Sequence, residues 1–251
     1  MYTKVKTLAE IDAMRESGRM LATVLEYLQK VIEPGQSTKD IADYAAKELK
    51  TLGGKPAFLG YHGFPDVICI SVNDEVVHGI PRNSRIIAEG DLVGLDFGVS
   101  YQNMITDAAV TIIAGKAIDP SHTKLLEVTK ESLYTGVKQV KDGVQTEDIG
   151  FAIQQVLEKQ GYGIVRDLVG HGVGHHVHED PNVPNYGKKG HGERLQAGMT
   201  IAIEPMATLG EYKVVMDPDH WTIRTADRSL AAHFEHTVLI TENGSEILTK
   251  L

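Results

Sequence analysis

Four acidic residues stand inside or beside apolar runs of the kind that form buried strands. They are Asp96, Asp107, Glu204 and Glu235. A lone ionised carboxylate in such a place costs several kcal/mol or becomes protonated. Four converging carboxylates need a shared cation, so the pattern indicates a site for divalent metal ions. Strand-end acids that face solvent are the alternative explanation.

The first two acids are close enough in sequence to share one hairpin. A two-residue turn centred on Tyr101-Gln102 would pair residues 92–99 with 104–113 and set Asp96 directly opposite Asp107. Directly opposed residues on one face of an antiparallel pair lie about 5 Å apart. Carboxylates at that distance repel unless a metal ion lies between them.

The other two acids are expected to form an equivalent pair in a longer hairpin. Its turn would be centred near Asp219-His220, directly after Pro218, where the residue types favour a turn. Glu204 and Glu235 would then face each other on adjacent strands. The sequence therefore predicts two acid pairs, one on each of two hairpins.

The histidines are densest between residues 170 and 180, where His171 stands between two glycines. Glycine allows the backbone to approach a ligand or another strand closely. An imidazole among carboxylates favours Mn, Fe, Co or Zn over Mg and Ca. We assign no role to His175 and His176, and the pattern alone leaves His78 as either a core residue or a functional one.

Two helices are predicted ahead of the first hairpin. The first begins at the capping box Thr7-Leu8-Ala9-Glu10 and is ended by Pro34-Gly35. The second starts after Ser37-Thr38 and runs to about Leu52, where Gly53-Gly54 ends it. Apolar residues recur at helical spacing along the first of them.

Part of this pattern recurs later in the chain. Residues 35–41 and 143–149 share Gly, Thr, Asp and Ile at matching positions, and the same offset of 108 relates Asp96 to Glu204. The match favours an internal duplication with halves that meet near residue 115. Chance similarity between two helix-and-strand segments is the alternative.

Length and composition limit the fold and the partners. A chain of 251 residues with 42% hydrophobic content can bury one large core, or two half-domains that share one. We expect a single domain over residues 1–251, with halves of about 1–115 and 116–251. The net charge of -9 argues against general nucleic-acid binding, so no DNA partner is expected.

Cysteine usage and the termini indicate the compartment. Cys69 is the only cysteine, which excludes an intrachain disulfide and is typical of a reducing compartment. Residues 1–6 do not resemble a signal peptide, and no apolar run approaches the length of a membrane span. We therefore expect a cytoplasmic protein with no membrane partner, and a monomer is the default expectation.

Five residues of this chain, in their order along the sequence, resemble the metal-binding set of the methionine aminopeptidases. They are Asp96, Asp107, His171, Glu204 and Glu235. That family belongs to the pita-bread superfamily, which also includes prolidases and creatinases. Further segments are similar to motifs of the bacterial type I enzymes, namely residues 59–65, 77–81, 170–174 and 231–237. The resemblance implies an α/β (α+β) fold. Two pseudo-symmetric halves would surround a curved antiparallel sheet with helices on its outer face, in one catalytic domain.

The resemblance also implies a metal arrangement. Asp107 and Glu235 would bridge two divalent ions, Asp96 would complete one site, and His171 with Glu204 would complete the other. The ions could be Co, Mn, Fe or Zn, and together they would activate a shared water as hydroxide. Glu204 would take the proton of that water and later pass it to the leaving amine.

Substrate contacts follow from the same resemblance. His178 would polarise the scissile carbonyl, and His78 would contact the peptide backbone. The methionine pocket would be formed by Phe58, Tyr61, Phe64, Cys69, Val177 and Trp221, together with these histidines. Phe58 and Val177 stand where many bacterial relatives have cysteine and phenylalanine, and ordinary core packing is the alternative for both.

The activity implied is removal of an N-terminal methionine from peptides and nascent chains, preferably ahead of a small residue. Transient contact with the ribosome exit region is expected by the same resemblance. A metallopeptidase of the same fold that cleaves before proline is the nearest rival. A pita-bread binding protein without catalysis and a metal-storage protein are the alternatives outside that enzyme class.

Overall fold

The structure is a computed structural model that describes residues 5–250. Within that range the helices are α1 (Leu8–Val31), α2 (Thr38–Leu52), α3 (Pro120–Val137) and α4 (Thr146–Lys159), with a 3₁₀ turn at Tyr61–Gly63. The strands are β1 (Lys55–Pro56), β2 (Cys69–Val72), β3 (Glu75–Val77), β4 (Leu92–Tyr101), β5 (Met104–Ile113), β6 (Gly163–Ile164), β7 (Gly170–Gly172), β8 (Glu179–Val183), β9 (Thr200–Ile203), β10 (Met206–Thr208), β11 (Val214–Met216), β12 (Ile223–Thr225), β13 (Ala231–His233), β14 (His236–Thr241) and β15 (Gly244–Ile247). Residues 1–4, part of the segment expected not to be a signal peptide, and residue 251 lie outside the described residues.

The first two helices begin and end as their capping residues predict. The Thr7 hydroxyl accepts a hydrogen bond from the Glu10 backbone N–H at 3.3 Å, and the Glu10 carboxylate accepts one from the Thr7 N–H at 2.7 Å. Helix α2 has the same reciprocal box at its start and ends at Gly53, whose φ of +83° is left-handed. Glycine adopts that conformation without steric cost.

The hairpin of β4 and β5 differs from the prediction at its turn. The central turn residues are Gln102 and Asn103, with φ of +48° and +64°. The prediction that Asp96 and Asp107 oppose each other directly is therefore wrong, because the register sets them diagonally on the same face. A turn of this kind needs positive φ at both central residues, which asparagine adopts more readily than the aromatic Tyr101.

The second hairpin follows the predicted register. Strand β9 pairs with β14 and β10 pairs with β13 in one continuous register, which sets Glu204 opposite Glu235. Strands β11 and β12 extend the same register outward to a turn. In that turn the Asp219 carboxylate accepts hydrogen bonds from the backbone N–H groups of Trp221 and Thr222 at 2.9 and 2.8 Å.

Hydrogen bonds join the two hairpins side by side. The backbone of Glu235 donates to the Ala109 carbonyl at 2.9 Å, and the backbone of Ala109 donates to the Glu235 carbonyl at 3.4 Å. The Asp107 N–H donates to the Thr237 hydroxyl at 2.9 Å, and that hydroxyl donates to the Asp107 carbonyl at 2.8 Å. Strand β5 therefore lies next to β13 and β14.

Two hydrophobic cores lie between the helices and the strands of the two hairpins. One core joins α1 and α2 to β4 and includes Leu21 and Phe97, both fully buried. Another joins α3 and α4 to β9 and β14 and includes Ile153 and Ile203. Full burial of such side chains contributes about 1.5–3 kcal/mol each. The helices occupy one face of the strands and leave the opposite face for a site.

Several elements recur at the offset read from the sequence, and one does not. Helices α2 and α4 begin 108 residues apart, as do β1 and β6. The offset fails at the next strand, since Val72 of β2 pairs with Val93 whereas Gly172 of β7 pairs with Ile201. Strand β7 therefore lies eight residues earlier in the chain than an offset of 108 from β2 would place it.

None of the helices within residues 5–250 combines the length and apolar character that crossing a bilayer requires.

Candidate metal centre and substrate cavity

A cavity of about 390 Å³ lies on the face of the strands opposite the helices. All of the residues predicted from the sequence line it. They are Phe58, Tyr61, Phe64, Cys69, His78, Asp96, Asp107, His171, Val177, His178, Glu204, Trp221 and Glu235. The geometry brings the predicted set together, and the role of each residue stays a prediction.

Strand alternation directs the acids into the cavity. Leu95 and Phe97 pack in the core beneath α1 and α2, so Asp96 between them points to the opposite face. In the second half, Phe234 packs in the core beneath α3 and α4. Its neighbour Glu235 therefore points into the cavity for the same reason.

The ligand atoms converge closely enough to share a cation. Atoms of Asp107, His171 and Glu235 all lie within 4.8 Å of one another. The Nε2 atom of His171 lies 3.5 Å from Oε1 of Glu204. One carboxylate oxygen each of Asp96, Asp107 and Glu235 is buried without a hydrogen-bond partner. Buried anionic oxygens without donors fit a bound divalent ion, because an ion would satisfy them.

Burial, and then repulsion between neighbouring acids, disfavours the ionised carboxylates when no cation is bound. Burial raises the pKa of Asp107 from its ordinary value to about 7. Burial, and then the neighbouring Asp107 carboxylate, raises the pKa of Asp96 well above its usual range. The pKa values of Glu204 and Glu235 are also raised, first by burial and then by the other acids. A divalent cation would reverse this effect by stabilising the ionised carboxylates.

A backbone contact determines the tautomer of His171. Its Nδ1 lies 2.9 Å from the Gly172 carbonyl oxygen, which can only accept a hydrogen bond. Nδ1 therefore bears the proton, and the lone pair of Nε2 is left facing Glu204. Burial lowers the pKa of His171 to about 3, so the ring is neutral near pH 7.

Next to the acids the cavity becomes apolar. Phe58, Phe64, Cys69 and Val177 form one buried cluster with Trp221 packed against it. The rings of Phe64 and Trp221 meet edge to face at 5.1 Å between centroids. Cys69 pairs directly with Asp96 on the neighbouring strand, so the apolar pocket and the acid cluster adjoin.

Two more of the predicted histidines, His78 and His178, line the same cavity. The rings of His171 and His178 are 4.2 Å apart, and Nδ1 of His178 lies 2.9 Å from the Tyr61 hydroxyl. Burial lowers the pKa of His78 to about 4, and its backbone has a φ of +59°. Left-handed backbone at a non-glycine residue is uncommon and is frequent at functional sites.

Two histidines of the site were not predicted from the sequence. His62 also lines the cavity. His233 is buried, and its Nε2 lies 3.7 Å from Glu204 and 3.8 Å from Glu235. Its position two residues before Glu235 on a strand was the available signal, since alternate residues share a face.

Comparisons with known proteins agree with this geometry. The chain matches metallopeptidase family M24 over residues 12–242. The methionine aminopeptidase of Aquifex aeolicus is 46% identical over 261 residues, covering 100% of both chains. The crystal structure of a methionine aminopeptidase from Thermotoga maritima is 46% identical, covers 99% of this chain and 100% of that one, and has a TM-score of 0.97.

A prolidase from Pyrococcus furiosus shares the fold at greater distance. Its TM-score is 0.80 at 25% identity, and the match covers 99% of this chain but 66% of the prolidase. The pita-bread α/β fold expected from the sequence is confirmed by these structures. The chain therefore belongs to metallopeptidase family M24 and, within it, to the methionine aminopeptidases.

Proposed function

We propose that this protein hydrolyses the peptide bond after an N-terminal methionine, preferably when the second residue is small. The observation that supports this most strongly is the junction of an apolar pocket with an acid-rich cluster. Cys69 in the pocket and Asp96 in the cluster are directly paired across two strands. A methionine side chain would occupy the pocket while its amino group lies at the Asp96 end of the cluster.

The pocket chemistry matches a thioether side chain. Aromatic faces and a thiol make favourable contacts with a flexible, polarisable sulfur. Burial raises the pKa of the Cys69 thiol well above its ordinary value, so this residue contributes a neutral apolar group. The edge-to-face pair of Phe64 and Trp221 would limit the width of the pocket.

The donor atoms in the cluster support one assignment of metal ligands. Asp96, Asp107, His171, Glu204 and Glu235 would hold two divalent ions, of which Co, Mn, Fe and Zn all accept mixed oxygen and nitrogen ligands. When bound, the ions would supply a nucleophilic water of lowered pKa. Glu204 would accept the proton of that water and return it to the leaving amine.

The two cavity histidines would act on the substrate. His178, held by the Tyr61 hydroxyl at 2.9 Å, would donate a hydrogen bond to the scissile carbonyl as negative charge develops there. His78 would contact the peptide backbone and orient the substrate. Lowered pKa values leave both rings neutral near pH 7, when each ring has one N–H to donate.

We further propose one catalytic domain whose halves meet near residue 115. The recurrence of α2 with α4, and of β1 with β6, at one offset supports that division. We also propose that the protein is a cytoplasmic monomer that meets nascent chains at the ribosome exit region, where chains that begin with methionine emerge. Peptides that begin with methionine are its proposed substrates.

A side-by-side peptidase assay tests the proposed activity. The chelated protein is titrated with Co, Mn, Fe and Zn, and Met-Ala-Ser is compared with an Ala-Pro peptide. Metal-dependent release of methionine alone is the expected result. Cleavage only before proline would replace the proposed substrate with that of a prolidase. Bound metal without cleavage of either peptide would favour a binding protein.

A further inference from the structure

One buried imidazole near the acids has no place in the metal set described above. His233 is 4% exposed, and its Nε2 has no hydrogen-bond partner. The ring stands on the same strand face as Glu235, since Phe234 between them packs in the opposite core. An unpaired polar atom at such depth is costly, so it requires a partner.

The distances from this ring to the two acids fall in the range expected between ligands of one cation. Nε2 of His233 lies 3.7 Å from Oε2 of Glu204 and 3.8 Å from Oε2 of Glu235. Both distances are too long for a hydrogen bond. Two ligands about 2.1 Å from one ion lie about 3.4 Å apart at a tetrahedral angle and about 4.2 Å apart in line. The corresponding distance for His171 and Glu204, 3.5 Å, falls in the same interval.

The backbone of His233 is fixed by the first half of the chain. Its N–H donates to the Thr111 hydroxyl at 2.9 Å, and that hydroxyl donates to its carbonyl at 2.9 Å. Thr111 lies on β5, the strand that also contains Asp107. The position of the imidazole relative to the acids is therefore set by two strands.

We propose that His233 is a further metal ligand, which binds through Nε2 the ion held by Glu204 and Glu235. The proposal rests on the proposed metal centre and deepens it. Two imidazoles, His171 and His233, then flank the Glu204 carboxylate from its two oxygens. A second nitrogen ligand makes this end of the site favour borderline cations over Mg and Ca.

The test counts imidazole ligands directly. Chelated protein is saturated with Co²⁺, and X-ray absorption gives the imidazole nitrogens bound per chain, while calorimetry gives the dissociation constant. Two bound imidazoles are expected in the unaltered protein and one in His233→Gln, with metal affinity at least about tenfold weaker. His236→Gln is the matched control, because its ring contacts Tyr134 and Thr249 instead of the acids.

Each other result overturns the proposal. One imidazole per chain in the unaltered protein excludes His233 as a ligand even if the variant fails to fold. Weaker binding by His233→Gln with an unchanged imidazole count would mean that the ring affects the acids without binding the metal ion. Failure of the unaltered protein to bind any divalent metal would instead remove the metal centre itself.

Discussion

The two hairpins that contribute the acids have a similar framework and different ends. In the first half, β4 and β5 run without interruption to a two-residue turn at Gln102 and Asn103. In the second half, the corresponding strands continue through β11 and β12 to a longer turn that holds Trp221. The extension adds an aromatic side to the cavity that the short hairpin cannot supply.

Strands β2 and β7, which pair with the acid-bearing strands, also differ between the halves. Ser71 of β2 and His171 of β7 occupy matching places relative to the acid-bearing strands. In the first half the serine hydroxyl accepts a hydrogen bond from the Gly79 N–H at 3.1 Å, which is a structural contact. In the second half the histidine faces Glu204. The recurring elements supply the acids, and the differences between the halves supply the imidazole and one side of the pocket.

If both hairpins contribute to one metal centre, an acid from either half should be indispensable for metal binding. Asp107→Asn in the first half and Glu235→Gln in the second are each expected to lose metal and at least about 10³-fold in kcat/KM, since bound metal contributes several kcal/mol. Metal content and methionine release are measured on the same samples. The exposed Glu242→Gln is the control, and full metal content with full activity in either buried variant contradicts the account.

A buried ion pair connects the start of the first half to the second half. Lys6 Nζ lies 2.9 Å from Glu179, whose other oxygen accepts the backbone N–H groups of His175 and His176 at 2.7 and 3.0 Å. Because Lys6→Met leaves a buried carboxylate without its cation, it should cost about 3–5 kcal/mol of unfolding free energy. Denaturant unfolding measures the loss.

The control for that ion pair is an exposed one. Arg19 pairs with Glu16 at 2.6 Å, with side chains 51% and 36% exposed. Arg19→Met should cost less than about 1 kcal/mol, because solvent screens such pairs. Equal losses in both variants would show that the Lys6 contact does not stabilise the junction of the halves.

The unfolding free energy of the metal-free protein should depend on pH through Asp107. Its raised pKa of about 7 means that the native state must ionise a buried acid above that pH, whereas the unfolded chain ionises near 3.8. Asp107→Asn should therefore be more stable than the unaltered protein by a few kcal/mol above pH 7. The difference should shrink as the pH falls to about 4.

Chemical unfolding in the presence of a chelator measures that difference across the pH range. The buried rings of His171 and His233 have lowered pKa values and give the opposite trend, but they are present in both proteins and cancel. A stability difference that grows on acidification would contradict the assigned direction of the Asp107 shift.

The second-half extension should matter for substrate more than for metal. Trp221→Ala is expected to lower kcat/KM for methionyl peptides about tenfold or more, which corresponds to about 1.4 kcal/mol, with metal content unchanged. Val215→Ala, an exposed residue of the same extension, is the control. An unchanged specificity constant for Trp221→Ala would remove the extension from the pocket.

The smallest expected difference lies in the helix caps. Ser37 caps α2 through its hydroxyl, which accepts the Asp40 N–H at 3.1 Å, whereas at the start of α4 the Asp148 N–H donates to the backbone carbonyl of Gln145 at 3.0 Å. Ser37→Ala should cost about 1 kcal/mol, and Gln145→Ala only a few tenths. Thermal unfolding compares the two, and equal losses would mean that the caps of the halves are equivalent.

Much of this arrangement could be predicted from sequence because it depends on local patterns. A capping box identified the start of α1, Ser37-Thr38 marked the start of α2, and the predicted hairpins placed each pair of acids on one face. The register of the second hairpin was also predicted correctly. The pairing of β9 with β14 continues through β10 with β13 and β11 with β12 without a shift. The turn at Gln102 was missed by one position, since only the backbone shows which residues take positive φ.

Other features depend on tertiary contacts that one sequence does not reveal. The earlier position of β7 follows from how it pairs with β9, and no local pattern marks that change. His233 shares a face with Glu235, yet a lone histidine in an apolar strand is also compatible with ordinary core packing. Only its distances to Glu204 and Glu235 distinguish it.

The central claim is that acids from both hairpins form one metal centre. The most direct test is anomalous diffraction from crystals of the protein grown with Co²⁺ or Mn²⁺. The account predicts anomalous density within bonding distance of Asp107 and Glu235 together, one acid from each half. Density bound to the acids of one half only, or elsewhere on the protein, would contradict it.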